Sequence, residues 1–286
     1  MSDKLCNILI PVDFTSKNKW AIAKGIEMAN QTNCNIHLVN IIPSNFFSSI
    51  TPYESRVDRL NSYDQLKDLA VSYADQLCGN GKIEVSLLEG NTTNKLVEYI
   101  RDFEMDLVVI GLSSNLFQRM TSSISVNKLA RKTNVPVLAV GSKGLVHHFK
   151  KIILPLYNEL SLRRIRMATT LASSFKSTIY MVSLRHGNNT PEKILNEGLD
   201  IVRSISRIPV QGVIVEGDNL AKTTIDFAKR INGDLIMINN PGEEQKTSRW
   251  WPASPLHLVR RGRKSASPRS CHGGRWRPDS PAVFLP

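Results

Sequence analysis

One repeat constrains the fold of this chain more than any other feature. Ile8-Leu9-Ile10-Pro11 is echoed by Ile152-Ile153-Leu154-Pro155, and Ile36-His37-Leu38-Val39 by Ile179-Tyr180-Met181-Val182. Leu88-Glu89-Gly90 returns as Val215-Glu216-Gly217, and Asp106-Leu107-Val108-Val109-Ile110 as Asp234-Leu235-Ile236-Met237-Ile238. The offsets are 144, 143, 127 and 128 residues. Echoes in the same order with a single change of spacing mark an internal duplication. The change falls between the second and third runs, so the second copy has the shorter connection there.

Within the first copy, short apolar runs alternate with amphipathic stretches. Strands are expected over 7–14, 36–42, 83–88, 106–111 and 135–140. Thr15 or Ser16 is the expected cap of a helix running to about Asn33, with Trp20, Ala23, Ile26 and Met28 on its buried side. A long helix over 53–77, carrying Val57, Leu60, Leu66, Leu69, Ala70 and Tyr73 at helical spacing, ends at Gly79-Asn80-Gly81. Thr92 or Thr93 starts a third helix, and a fourth spans 125–132. This alternation predicts the α/β class: right-handed crossovers and a parallel sheet with helices on both faces. The expected architecture is two doubly wound, Rossmann-like domains over 1–143 and 151–245, joined by a linker over 144–150. In such a sheet the ligand crevice lies beyond the carboxyl ends of the strands, where strand order reverses.

The second copy is expected to lack its last helix and strand. After Ile238 come Pro241-Gly242-Glu243-Glu244-Gln245 and then a stretch rich in Arg, Ser, Pro and Trp. Prolines at 252, 255, 268, 278, 281 and 286 forbid long regular elements there. Residues 246–286 carry nine Lys or Arg against Asp279 alone, so they hold +8 of the chain's formal +12 and leave only +4 for the first 245 residues. The basic balance therefore belongs to this tail and says little about the folded part. The tail reads as disordered or non-native sequence, and a basic, aromatic nucleic-acid-binding arm is the alternative. Cys6, Cys34, Cys78 and Cys271 form no CxxC pair, which fits small buried residues in a reducing cytoplasm rather than a disulfide framework or a zinc site. No apolar run reaches the roughly 18 residues that a membrane span needs, and Met1–Leu5 does not read as a secretory leader.

The opening Asn7-Ile8-Leu9-Ile10-Pro11-Val12-Asp13-Phe14-Thr15, the strand Ile36–Ile42 and the closing Val135-Pro136-Val137-Leu138-Ala139-Val140 resemble the universal stress protein family, within the adenine-nucleotide alpha hydrolase-like folds. The tandem resemblance extends from Lys4 to about Asn240. It implies that ATP or AMP is held by the end of the first strand and by a glycine-rich loop after the fourth, with magnesium accompanying ATP only. Glycines let backbone amides approach phosphate oxygens, and a following helix start favours negative charge. The family pattern is Gly, two residues, Gly, nine residues, Gly and a hydroxyl residue. Gly111 fits its first position, but Ser114 and Ser123 stand where the other glycines belong, and Ile124 replaces the hydroxyl residue. The cofactor-binding residues implied are Pro11, Val12, Asp13, Thr15, Val39, Gly111, Ser114, Ser123 and Ser125.

Asp13 admits two readings. By resemblance it contacts the adenosine part, whereas a bare strand-to-helix turn would use it to satisfy local backbone donors. In the second copy Leu156-Tyr157 replaces Val12-Asp13 and Asn239-Asn240-Pro241 replaces the glycine loop, so no nucleotide is expected there. His37 reads as a sheet residue and His147-His148 as part of the connector. No HExxH, GxSxG or intact P-loop is present, and no nucleophile–base–orienter set stands out. The expected function is a non-enzymatic stress-response protein. Alternatives are a slow ATPase or adenylate-handling enzyme of the same fold group, and nucleic-acid binding through the tail. A second sheet without its last strand leaves an edge open, which predicts self-association through sheet edges; no membrane partner is expected.

Overall fold

Apolar runs without alternation become central strands, because a parallel sheet with helices on both faces leaves no strand face for water. β1, Asn7–Val12, is such a run, buried from Ile8 onward. The computed structural model describes residues 5–43, 52–112, 124, 126–133, 135–141, 148–156, 160–186, 190–238 and 282–285. They divide into two compact units, Met1–Leu145 with Leu285–Pro286, and Val146–Phe284.

In the first unit, β2 (Asn35–Ile42), β3 (Ile83–Glu89), β4 (Leu107–Gly111) and β5 (Val137–Val140) join β1 in a wholly parallel arrangement ordered β3-β2-β1-β4-β5. Helix α1, Asn18–Thr32, lies across β1, β2, β4 and β5, and α2, Pro52–Ala74, lies over β2 and β3. Helix α3, Thr92–Asp102, packs on β2, β3 and α4, Val126–Thr133. β3 carries only half-buried and exposed positions, as a strand at the margin of a sheet does.

The second unit repeats this plan. β6 (Lys151–Leu156), β7 (Thr178–Arg185), β8 (Val210–Glu216) and β9 (Leu235–Met237) are parallel and alternate with α5 (Leu162–Phe175), α6 (Pro191–Ile205) and α7 (Leu220–Arg230). Register is reproduced residue for residue. Ile8 pairs with Ile36 and Leu107, and Ile152 pairs with Ile179 and Leu235. Left-handed backbone recurs at Asn33 and Lys176, which end α1 and α5, and at Glu104 and Asn232. Asn91 caps α3 by accepting the Asn94 N–H, and Asn219 caps α7 by accepting the Lys222 N–H. The shortened connection is found in part in the helix itself, since α2 has 23 residues and α6 has 15.

Several local expectations are corrected. Helix α1 begins at Asn18 after Lys17, and neither Thr15 nor Ser16 caps it, because the turn before it is organised by the Asn18 side chain. Its buried face is Ala21, Ile22, Gly25, Ile26, Met28 and Ala29, whereas Trp20 and Ala23 are half-buried. Leu60 and Val71 of α2 are exposed, and Leu66 is the helix's buried anchor. Of the described cysteines only Cys34 is buried, its Sγ donating to the Leu5 carbonyl, while Cys6 and Cys78 are exposed; Cys271 lies outside the described residues. The second sheet holds the four expected strands and a further one, β10 (Ala282–Leu285), parallel to β9. This short apolar run between Pro281 and Pro286 is brief enough to satisfy the proline constraint.

One difference between the units is chemical. Between β2, β3 and α3 of the first unit, His37 Nδ1 is 3.0 Å from the Tyr99 hydroxyl, which is 3.1 Å from Ser86 Oγ. Tyr99 stacks on Phe103 with ring centroids 4.2 Å apart. At the matching place in the second unit Tyr180 meets Phe227, so the polar chain is absent. Burial holds the His37 imidazole below its ordinary value, against a smaller upward pull from the Glu84 carboxylate 3.6 Å away. Tyr99, pushed up by burial, stays protonated. An unfolded imidazole titrates near 6.5, so just below that pH the unfolded chain binds more protons than the folded one, and stability falls with acidification. Urea unfolding at about pH 7.5 and about pH 5.5 should show a loss on acidification that His37→Phe largely abolishes. An equal loss in both proteins would contradict the neutral, buried state of His37.

Candidate functional site

Strand order reverses between β1 and β4, and the crevice of the first unit therefore opens beyond Val12 and Gly111. A buried amide builds its rim. Asn18, 5% exposed, donates from Nδ2 to the Pro11 carbonyl at 3.1 Å. Its Oδ1 accepts the N–H groups of Asp13 at 3.0 Å and Thr15 at 3.1 Å. One side chain thus ties the end of β1 to the start of α1 and sets the turn between them. Phe14, at φ 54°, takes the left-handed conformation this turn requires and stands exposed. From the other side Asn40 of β2 donates to the Val12 carbonyl at 2.8 Å.

Asp13 stands on this rim with its side chain 40% exposed. Oδ1 accepts the Thr15 hydroxyl at 2.6 Å and the Thr15 N–H at 3.2 Å, and Oδ2 pairs with Lys17 Nζ at 2.6 Å. Partial burial pushes its pKa up, but the Lys17 ammonium and the Thr15 donors outweigh that and hold the carboxyl below its usual range. It is ionised at neutral pH. The local reading of Asp13 as an Asx turn is thus realised. A carboxylate offers about four acceptor positions, so three local donors leave room for a ligand hydroxyl.

At Gly111 the chain's own backbone comes close. A Cβ there would come within 2.1 Å of the Lys17 carbonyl oxygen. The close backbone approach is made by the chain's own turn. The Leu112 N–H donates to the Val140 carbonyl at 2.7 Å, so this amide and those of Asp13 and Thr15 are already engaged. These three amides are therefore not available as donors to an anion. Pro11, Val12, Asp13, Thr15 and Gly111 come together at one end of the sheet. Val39 pairs with Pro11 but is enclosed in the core. Ser114, Ser123 and Ser125 lie outside the described residues, as do Tyr157 and Asn239-Asn240-Pro241 of the second unit. Among the described residues no cluster suits a metal ion.

Residues 6–141 match the model of the universal stress protein family. A Staphylococcus saprophyticus protein named for the same family is 25% identical over 148 residues, which is 50% of this chain and 88% of that protein. The first unit is thus similar to the universal stress protein family. The family match lies in the first unit. The crystal structure of a universal stress protein from Archaeoglobus fulgidus aligns with 99% of this chain and 96% of its own at a TM-score of 0.73 and 12% identity, a likeness of fold alone. The cytoplasmic domain of a prokaryotic cation chloride cotransporter shares the fold at a TM-score of 0.54 and 12% identity over 98% of this chain and 94% of its own. The same layers thus serve unlike proteins, and function must be argued from the site. No described helix is long and apolar enough to cross a membrane.

Asn18, Lys17 and Asn40 organise this crevice, and sequence reasoning missed them. An asparagine at the start of an expected helix reads as a surface position, and nothing in the local pattern announces its burial. Gly111→Ala should lower unfolding free energy by about 1–3 kcal/mol without any ligand, because the methyl group meets backbone that has to move. Urea denaturation measures this, and unchanged stability would contradict the packing role.

Proposed function

We propose that this universal stress protein has a non-enzymatic role in stress response, with an adenine nucleotide read by the crevice of its first unit. The observation that carries the reading is the position and charge of Asp13. It is an ionised carboxylate at the point where strand order reverses, fixed by Thr15 and Lys17 and still partly open to solvent. Such a group can accept the hydroxyls of a ribose, as the family resemblance implies. Thr15, exposed on the same rim, supplies a hydroxyl, and Lys17 supplies the local positive charge.

Catalysis finds less support. The described rim offers a carboxylate that is ion-paired with an ammonium and hydrogen-bonded by a hydroxyl, with no imidazole beside them to act as base. His37 is bonded to Tyr99 between the sheet and α3, away from the carboxyl ends of the strands. ATP or AMP is the ligand class, and magnesium would enter only with the phosphates of ATP. In the second unit Leu156 is buried at the end of β6, where the first unit continues into Asp13, and no ligand is assigned there.

Calorimetric titration of ATP, AMP and cyclic AMP into the full chain tests the reading. AMP and ATP should both bind, and Asp13→Ala should weaken each by about tenfold or more, the loss expected when a charged hydrogen-bond acceptor is removed. Magnesium should alter the affinity for ATP and leave that for AMP unchanged. Absence of heat with all three at millimolar concentration, or equal binding by Asp13→Ala, would overturn it.

A further inference from the structure

A strand that ends a sheet must have its outer edge covered, or it will pair with whatever extended chain is near. In the first unit the strand beside β4 is β5, and it follows by a connection from Gly111 to Val137. In the second unit the strand beside β9 is β10, and the connection runs from Met237 to Ala282, much longer. The entropy of closing a loop grows only slowly with its length, so a distant segment can take such a place. β10 pairs in parallel, Ala282 with Leu235, Val283 with Ile236 and Phe284 with Met237.

Three features mark this as a place that selects its occupant. Leu235, Ile236 and Met237 are buried, so the edge belongs to the core of the unit. Residues 246–286 carry nine positive charges, yet Ala282-Val283-Phe284-Leu285 carries none and holds the strand-favouring pair Val283-Phe284. Pro281 and Pro286 bracket it, and proline cannot donate to a ladder, so the pairing is limited to four residues.

From these we infer that the outer edge of β9 is a strand-acceptor slot, whose ligand is the short apolar segment 282–285 of this same chain. The affinity is in the backbone ladder and the selectivity in the absence of charge, as in other cases of strand addition. The slot accepts the same segment supplied on a separate peptide. It has no part in nucleotide recognition, and its test is independent of that reading.

The test is hydrogen exchange on the full chain and on Val283→Pro/Phe284→Pro, which removes two adjacent ladder donors whichever of them faces β9. A chain with Ser265→Pro/Ser267→Pro is the control. The β10-facing amides of Leu235–Met237 should exchange about tenfold or more faster in the first variant, and as in the unchanged chain in the control. The peptide Ser280–Pro286, added to the first variant, should restore protection, and a scrambled peptide should not. If β6 also loses protection because the second unit unfolds, recovery with the peptide supports the inference and failure to recover overturns it. Protection at β9 that survives the double substitution overturns it too, whether a second copy then covers the edge, seen as a dimer in sedimentation, or nothing does.

Discussion

A carboxylate at the foot of the strand beside β1 determines where each sheet reverses. Asp106 Oδ2 accepts the N–H groups of Cys6 at 2.8 Å and Asn7 at 3.0 Å, while its own N–H donates to the Asn7 carbonyl. In the second unit Asp234 Oδ2 accepts the N–H groups of Lys150 and Lys151, each at 2.9 Å, and its N–H donates to the Lys151 carbonyl. A parallel pair cannot be closed by a tight hairpin, so its register has to be set by other means. The aspartate does this at the amino end of the pair. With Asp106 and Asn7 locked together, Ile8 lies opposite Leu107, and β1 and β4 reach their carboxyl ends side by side. That juxtaposition is the crevice.

At the other end of the same strand pair, Asn18 does for the turn what Asp106 does for the strands. It holds Pro11, Asp13 and Thr15 at once and brings the Lys17 carbonyl against Gly111. The rim is consequently preset, with Asp13 charged and oriented before any ligand arrives. The second unit keeps the aspartate tie and loses the rim. Ser161 caps α5 there by accepting the Arg164 N–H, and the ordinary start of a helix takes the place of the Asn18 turn. The two units therefore share the scaffold more strictly than the site, as expected when packing and recognition are carried by different residues.

The layered fold was legible because it is written in patterns that need no tertiary knowledge. The apolar runs at Ile8 and Ile152 are short and continuous, as buried parallel strands are, and the recurrence of Asp106 as Asp234 at the start of such a run marked the same position in both copies. The helix lengths and the faces of α1 and α2 were less legible. Trp20 and Leu60 have the spacing of buried residues, but their exposure depends on how far neighbouring elements extend. At the crevice Asp13 stands where the end of the first strand placed it, and Gly111 meets the protein's own backbone, a contact between distant residues that no local spacing announces. β10 was hidden because four apolar residues in a proline-rich, basic stretch carry no period of their own, and only the waiting edge of β9 gives them a structure.

Both sheets depend on the aspartate tie, and backbone exchange reads that tie directly. Amide hydrogen exchange on Asp106→Ala should deprotect Cys6 and Asn7 while Lys150 and Lys151 stay as they were, and Asp234→Ala should do the reverse. Each change should cost its own unit about 1.5–3 kcal/mol, the range for hydrogen bonds to a charged group. Amides at 6–7 and 150–151 that exchange alike in the unchanged chain and in both variants would contradict the claim that these two carboxylates set the register of the repeated sheet.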